Sequence, residues 1–274
     1  MPTQAEKGRS FRALHERGRA FIIPNPWDIG SARFLQSLGF EALASTSAGF
    51  AFSIGKSDGA VGREAMLIHA AALASATDLP VSADLENGYG DDPVDAADTV
   101  RLAVNAGLAG CSIEDVPQGR GKPPYELEYA AERVRAAAEA AHSLTFPFTL
   151  TARSENYIVG RPDLRDTIAR LQAFQEAGAD VLFAPGLKTQ ADISAVIRSV
   201  DRPVNIIMGL PGVSFSLAEL SGLGAKRISV GSSLMRTAFG AFMRAAEELH
   251  TQGTFGYAEG AVKGAELNAL FGKS

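Results

Sequence analysis

The sequence of 274 residues contains one cysteine, Cys111. A single thiol excludes an internal disulfide and predicts a reducing, cytoplasmic setting. Long apolar runs are also missing: none approaches the roughly 18 residues needed to cross a bilayer. The opening stretch, MPTQAEKGRSFRALHERGRA, is polar and charged, which predicts no signal peptide. Basic charge is in deficit. Lys and Arg total 26 against 31 Asp and Glu, for a net charge of −5. That balance disfavours nucleic acid or a membrane surface as partner. Linkers, low-complexity tracts and charge blocks are absent, so residues 1–274 are expected to form one domain. Histidine is scarce and poorly placed for chemistry. His15, His69, His142 and His250 fall in helical or terminal positions and read as structural.

What is present is a regular alternation. Short β-rich apolar runs occupy 20–25, 41–47, 79–86, 110–116, 146–154, 179–185, 202–208 and 227–232. Most are apolar on both faces, as strands covered by helices are. Helical patterns lie between them, including 95–106, 128–141, 163–177 and 190–200. Four strands are announced alike, by SLGFEAL, NAGLAGC, EAGADVL and GLGAKRI. Glycine there suits a left-handed helix C-cap. Eight strand-helix units predict a (β/α)8 TIM-type barrel, with a doubly wound open sheet as the alternative. Residues 251–274 lie beyond the eighth unit and predict a C-terminal helical extension, packed on the barrel or on another subunit. The apolar ELNALF within it suggests a subunit contact.

Barrel chemistry sits at the C-terminal ends of strands. Strand two ends in Ser45, Thr46 and Ser47, with Asp58 in the loop that follows. Strand three ends in Asp84 and Glu86, strand four in Glu114 and Asp115, strand five in Arg153, Glu155 and Asn156. Strand seven carries Asn205. Carboxylates gathered from neighbouring strands repel one another unless a counter-charge is present. A hard divalent cation such as Mg²⁺ meets that need, since it takes oxygen ligands and keeps several waters. Asp84 and Glu86, two apart on a strand, are expected to share a face, and Glu114 to approach from the side. Arg153 is expected to neutralise a substrate carboxylate or a developing oxyanion. With no histidine available, proton transfer would depend on carboxylates, Tyr89, Tyr157, Lys122 or water.

SADLENGYG, GCSIEDV, TARSENY and AGADVLFAPG, in that order, closely resemble the isocitrate lyase/phosphoenolpyruvate mutase superfamily, over about 21–236. The resemblance implies a (β/α)8 barrel, Mg²⁺, a small 2-oxo acid ligand and an enolate intermediate. It also implies a homo-oligomer, a dimer or dimer of dimers, with a terminal helix exchanged between subunits. Carried over, Asp84 is the direct metal ligand. Asp58, Glu86 and Glu114 hold the metal's waters. Arg153 stabilises the enolate, and Ser45, Thr46 and Ser47 cradle the carboxylate, with Asn205 near the substrate.

The loop after strand four departs from the family. It reads VPQGRGKPPYE and has neither the cysteine nor the histidine of the K-[KR]-C-G-H motif of the isocitrate and methylisocitrate lyases. The mutase loop asparagine and the histidine after strand six are missing too. The expected activity is therefore cleavage or decarboxylation of an oxaloacetate-like 2-oxo acid. The alternatives are phosphonopyruvate or phosphoenolpyruvate P–C chemistry, and a non-catalytic barrel that binds a 2-oxo acid.

Overall fold

The computed structural model describes residues 1–119 and 121–272. Eight parallel strands run in the order β1-β8-β7-β6-β5-β4-β3-β2. They are β1 (Phe21–Ile23), β2 (Leu43–Ala44), β3 (Val81–Asp84), β4 (Gly110–Glu114), β5 (Thr149–Arg153), β6 (Val181–Phe183), β7 (Val204–Ile207) and β8 (Arg227–Ser229). The seam between β1 and β2 is joined by the Ala44 N–H donating to the Pro24 carbonyl at 3.0 Å. Asn25 reinforces it: its Nδ2 donates to the Ser45 carbonyl and its Oδ1 accepts from the Val230 and Gly231 N–H groups. This is a nearly closed (β/α)8 barrel, as the alternation predicted.

The covering helices are α2 (Ile29–Ser37), α3 (Ser47–Ser53), α4 (Arg63–Ala76), α5 (Pro93–Asn105), α6 (Leu127–His142), α7 (Leu164–Glu176), α8 (Gln190–Arg198), α9 (Leu217–Gly222) and α10 (Ser233–Gln252). The four glycines that precede strands are left-handed, with φ of +85° at Gly39, +81° at Gly107, +105° at Gly178 and +100° at Gly224. At Gly178 a side chain is excluded twice, because a Cβ would also stand 3.0 Å from that of Ala138.

Strands are shorter than their apolar runs. The second run gives only Leu43–Ala44, because Thr46 turns to cap α3, its hydroxyl accepting from the Gly49 N–H. The polar N-terminus folds as α1 (Gln4–Glu16), opened by a Thr3–Glu6 capping box. Its inner face, Phe11 and Leu14, packs on Phe21, Ala42 and Ala109, the residues that enter the barrel. His15 joins them edge-on to Phe11 and Phe21. The N-terminal end is thus sealed by an aromatic plug, and the C-terminal end is left for a site. Beyond α10, a 3₁₀ turn (Gly256–Gly260) leads to α11 (Gly264–Phe271), which lies against α2 of the same chain.

Candidate active site

The β4–β5 register sets Glu114 beside Arg153. From there the guanidinium reaches three carboxylates: Asp84 at 2.8 Å through Nη1, Glu114 at 3.2 Å through Nη2 and Glu155 at 2.8 Å through Nε. Its plane rests over Phe183, 5.2 Å from the ring centroid. Burial opposes the charge on Arg153, but Glu155, Glu114 and Asp84 hold its pKa well above the ordinary value. Asp84 is fixed from its other side by Ser47, whose N–H and Oγ both donate to Oδ2, at 3.1 and 2.8 Å. The Asp84 N–H donates to Ser45 Oγ.

Glu86 does not share the strand of Asp84. The strand ends at Asp84, and Glu86 is left-handed at φ +48°. The alternation expected for Asp84 and Glu86 therefore fails. The turn itself, not the pleat, brings Glu86 back to the cavity. Burial first, then Asp84 and Asp58, push its carboxyl up to about 7. Its Oε1 is buried without a hydrogen-bond partner among the described residues. Burial likewise raises Glu114 and Glu155, with Arg153 opposing.

These groups line two connected spaces. An outer cavity of about 490 Å³ is bounded by Asp58, Glu86, Glu114, Arg153, Glu155 and the 116–119 loop. An inner one of about 250 Å³ runs from Ser45, Thr46 and Ser47 past Asp84 and Arg153 to Asn205 and Arg227. Asp58, Asp84, Glu86, Glu114, Arg153, Ser45, Thr46, Ser47 and Asn205 each line one or the other, whereas Asp115 and Asn156 line neither. The hydroxyls of Ser45–Ser47 differ from expectation, being engaged with Asp84 and the α3 cap. Tyr89, Tyr157 and Lys122 line neither cavity among the described residues. The Tyr89 hydroxyl is buried without a partner among the described residues, its pKa raised by burial and by Glu86, Asp84 and Glu114. All four histidines lie in helices; His69 stacks on Phe50 with centroids 3.8 Å apart.

Three arginines that the sequence did not mark hold the site together. Arg133, 1% exposed, donates to the carbonyls of Asn87, Asp91 and Asp92 and so fixes the NGYGDD turn. Arg170 donates to Asp115 Oδ2 at 3.1 Å and to the Tyr125 carbonyl at 2.8 Å. Asp115 Oδ1 in turn accepts from the Glu155 N–H. Arg227, inside the barrel, donates to Asn205 Oδ1 and Thr151 Oγ1, each at 3.0 Å. The signal for Arg133 was present: its i+4 neighbour Ala137 and the adjacent Ala130 and Val134 form a buried stripe that includes it.

No group of three or more Asp, Glu, His or Cys forms a ready metal cage among the described residues. The donor set still fits one kind of ion. Asp84, Glu114 and Glu155 surround one guanidinium, Glu86 and Asp58 line the same cavity, and one Glu86 oxygen has no partner among the described residues. More carboxylates than cations around one cavity suit a hard cation that takes one or two carboxylates and keeps its water.

Comparison with known proteins identifies relatives of the same fold. A crystal structure from Burkholderia cenocepacia J2315, described as a lyase/mutase, superposes with a TM-score of 0.96 at 57% identity, covering 98% of this chain and 97% of that one. The structure of 2,3-dimethylmalate lyase gives a TM-score of 0.87 at 29% identity, over 100% of this chain and 96% of the other. An oxaloacetate decarboxylase of Pseudomonas paraeruginosa (strain DSM 24068 / PA7) is 28% identical over 229 residues, 81% of this chain and 77% of its own length. The profile of the phosphoenolpyruvate phosphomutase family matches residues 11–250. The chain belongs to that family, within the isocitrate lyase/phosphoenolpyruvate mutase superfamily of lyases and mutases.

Proposed function

We propose that the protein is a Mg²⁺-dependent lyase that cleaves or decarboxylates a small 2-oxo dicarboxylate of the oxaloacetate type through an enolate. One observation carries the reading: a guanidinium locked by three carboxylates at the mouth of a cavity with surplus negative charge. Similarity to an oxaloacetate decarboxylase supports the substrate class, and similarity to a dimethylmalate lyase supports C–C cleavage of a short dicarboxylate.

Bound Mg²⁺ would act as a Lewis acid toward the 2-oxo oxygen. Asp84 would hold it directly, with Glu86, Glu114 and Asp58 on its waters. Arg153 orients the substrate and stabilises negative charge on the enolate oxygen as the bond to the departing carbon breaks, its electron pair passing into the enolate. Ser47 aims Asp84 at the cavity. Ser45, Thr46 and Ser47 would receive the substrate carboxylate, Ser47 once its N–H and hydroxyl turn from Asp84 to the ligand. The enolate then takes up a proton at carbon.

The test is Mg²⁺-dependent release of pyruvate or another 2-oxo acid from oxaloacetate and 2-hydroxy tricarboxylates, in the wild type and in Asp84→Ala. Turnover abolished by the substitution supports the reading; a wild type inert to all of them overturns it. P–C bond chemistry is the second reading, favoured by the family profile and tested with phosphonopyruvate.

The protein is further proposed to act in the cytoplasm as a homo-oligomer. No helix among the described residues is long and apolar enough to cross a membrane. The α10 face and the residues after it expose Phe239, Phe242, Met243, Phe255 and Val262. A second copy of the chain is the proposed cover. Light scattering showing a monomer at micromolar concentration would refute that assembly.

A further inference from the structure

The walls of a (β/α)8 barrel are usually filled by bulky branched side chains. Here the inner cavity is walled by Ser82, Ser112, Asn205, Ser229 and Arg227, residues that also rank among the buried ones. Arg227 is the exception that needs explaining. It is 5% exposed, and no carboxylate pairs with it among the described residues. Its Nε and Nη2 are held by Asn205 and Thr151, while Nη1 is buried with no partner among the described residues. Asn205 is itself braced by donation to Ser229 Oγ at 2.9 Å. Burial and the nearby Arg153 lower its pKa only to about 9, so it is a cation at neutral pH. Arg227 thus lines a cavity of about 250 Å³ as a buried guanidinium with one donor group unmatched by any described residue.

We propose that Arg227 anchors a second anionic group of the substrate, a carboxylate or phosphonate at the far end of a 2-oxo acid whose near end lies at Arg153 and Ser45–Ser47. This assignment rests on the 2-oxo acid reading above and narrows it to dianions. The cavity is below the roughly 300–1,000 Å³ of drug-sized ligand pockets, which restricts it to short chains. The donors match: a fork of guanidinium N–H groups suits either oxyanion, and Asn205 and Thr151 fix its plane.

The experiment is calorimetric titration with Mg²⁺ present, using oxalate, 2-oxobutyrate, oxaloacetate and phosphonopyruvate, with kcat/KM replacing Kd for any ligand that is turned over. Oxalate probes the Arg153 end alone. 2-Oxobutyrate replaces the second anion of oxaloacetate by a methyl group. The wild type is expected to favour oxaloacetate or phosphonopyruvate over 2-oxobutyrate by about 30-fold or more. Which of the two is preferred identifies the anion. Arg227→Met should reduce that preference to about 3-fold while oxalate affinity stays within about 2-fold. Arg227→Gln, a polar neutral replacement, should do the same if methionine does not fold. A wild type that binds oxalate without preferring dianions overturns this proposal alone, as do variants that weaken all four ligands equally. A wild type that binds no oxalate overturns the 2-oxo acid reading and this proposal with it.

Discussion

Arg153 and Arg227 stand in the same barrel, both largely buried, in opposite company. Arg153 is met by Asp84, Glu114 and Glu155; Arg227 is met by an amide and a hydroxyl. The first cation lies within a cluster where negative charge exceeds positive. The second is a positive charge with no internal answer. A buried charge is retained at a cost, so unequal pairing marks where charge from outside is received: a cation near Arg153, an anion near Arg227. Substitution by methionine tests the contrast at its widest. Arg153→Met is expected to lower kcat/KM on the substrate by about 10³-fold or more. It should also destabilise by about 3–5 kcal/mol in urea unfolding, since three carboxylates lose their cation. Added Mg²⁺ should restore part of that stability. Arg227→Met should leave stability unchanged or raise it, because an unpaired buried charge is removed. Equal destabilisation in the two variants would remove the distinction.

Arg170 supplies a third case, a buried pair with both partners present. It joins Asp115, which holds the Glu155 backbone, and Glu155 holds Arg153. Arg170→Met would strand Asp115, which is 3% exposed. The expected loss is again about 3–5 kcal/mol of stability, but with a smaller fall in kcat, since no group facing the cavity is removed. A fall in kcat as large as that of Arg153→Met would place Arg170 inside the chemistry instead of behind it.

This contrast also separates what could be read from the sequence from what could not. The strands, the left-handed glycines at 39, 107, 178 and 224, and the acids that close β3 and β4 follow from periodicity and turn chemistry, which are local. Local rules also placed Arg153, since it ends an apolar strand. They misplaced Glu86, because nothing in LEN announces that a non-glycine residue will turn left-handed there. They could not assign Ser45 and Ser47, whose partner is Asp84, a residue set beside them by pairing between β2 and β3. Arg133 and Arg170 look like ordinary charged residues on helix surfaces, because their partners lie about 40 to 55 residues away. Arg227 begins an apolar strand, at the end where conservative reading expects only structural residues. Side chains whose meaning depends on distant register were the ones missed.

Histidines give a milder test, at the barrel's periphery. His69 is stacked on Phe50 and buried, and burial lowers its pKa to about 4. The unfolded chain, with an ordinary pKa near 6.5, therefore binds more protons between pH 4 and 6.5. Stability is full above pH 6.5 and is lost as pH falls toward 4, by up to about 3 kcal/mol from this residue. His69→Phe should flatten that part of the unfolding free energy against pH while leaving the value at pH 8 nearly unchanged. A profile of the same slope in the variant would assign the acid sensitivity elsewhere, His15 being the next candidate since burial lowers it to about 3.

Ser47→Ala has the smallest expected effect and asks the most specific question about the Arg153 cluster. Asp84 is steadied by Arg153 on one oxygen and by Ser47 on the other. The alanine variant loses the hydroxyl donor but keeps the backbone N–H, so one of the two Ser47 bonds survives. A hydrogen bond to a charged group contributes about 1.5–3 kcal/mol, and the surviving N–H should hold the loss to the lower end. The expected result is a fall of about 10-fold in kcat/KM, appearing as weaker Mg²⁺ activation, with folding stability lowered by about 1.5 kcal/mol at most. If Ser47 aimed Asp84 and did nothing else, the Mg²⁺ dependence would shift and the substrate KM at saturating Mg²⁺ would not. If it also receives the substrate carboxylate, both would shift, and the separation between the two curves measures how far Ser47 turns from Asp84 to the ligand.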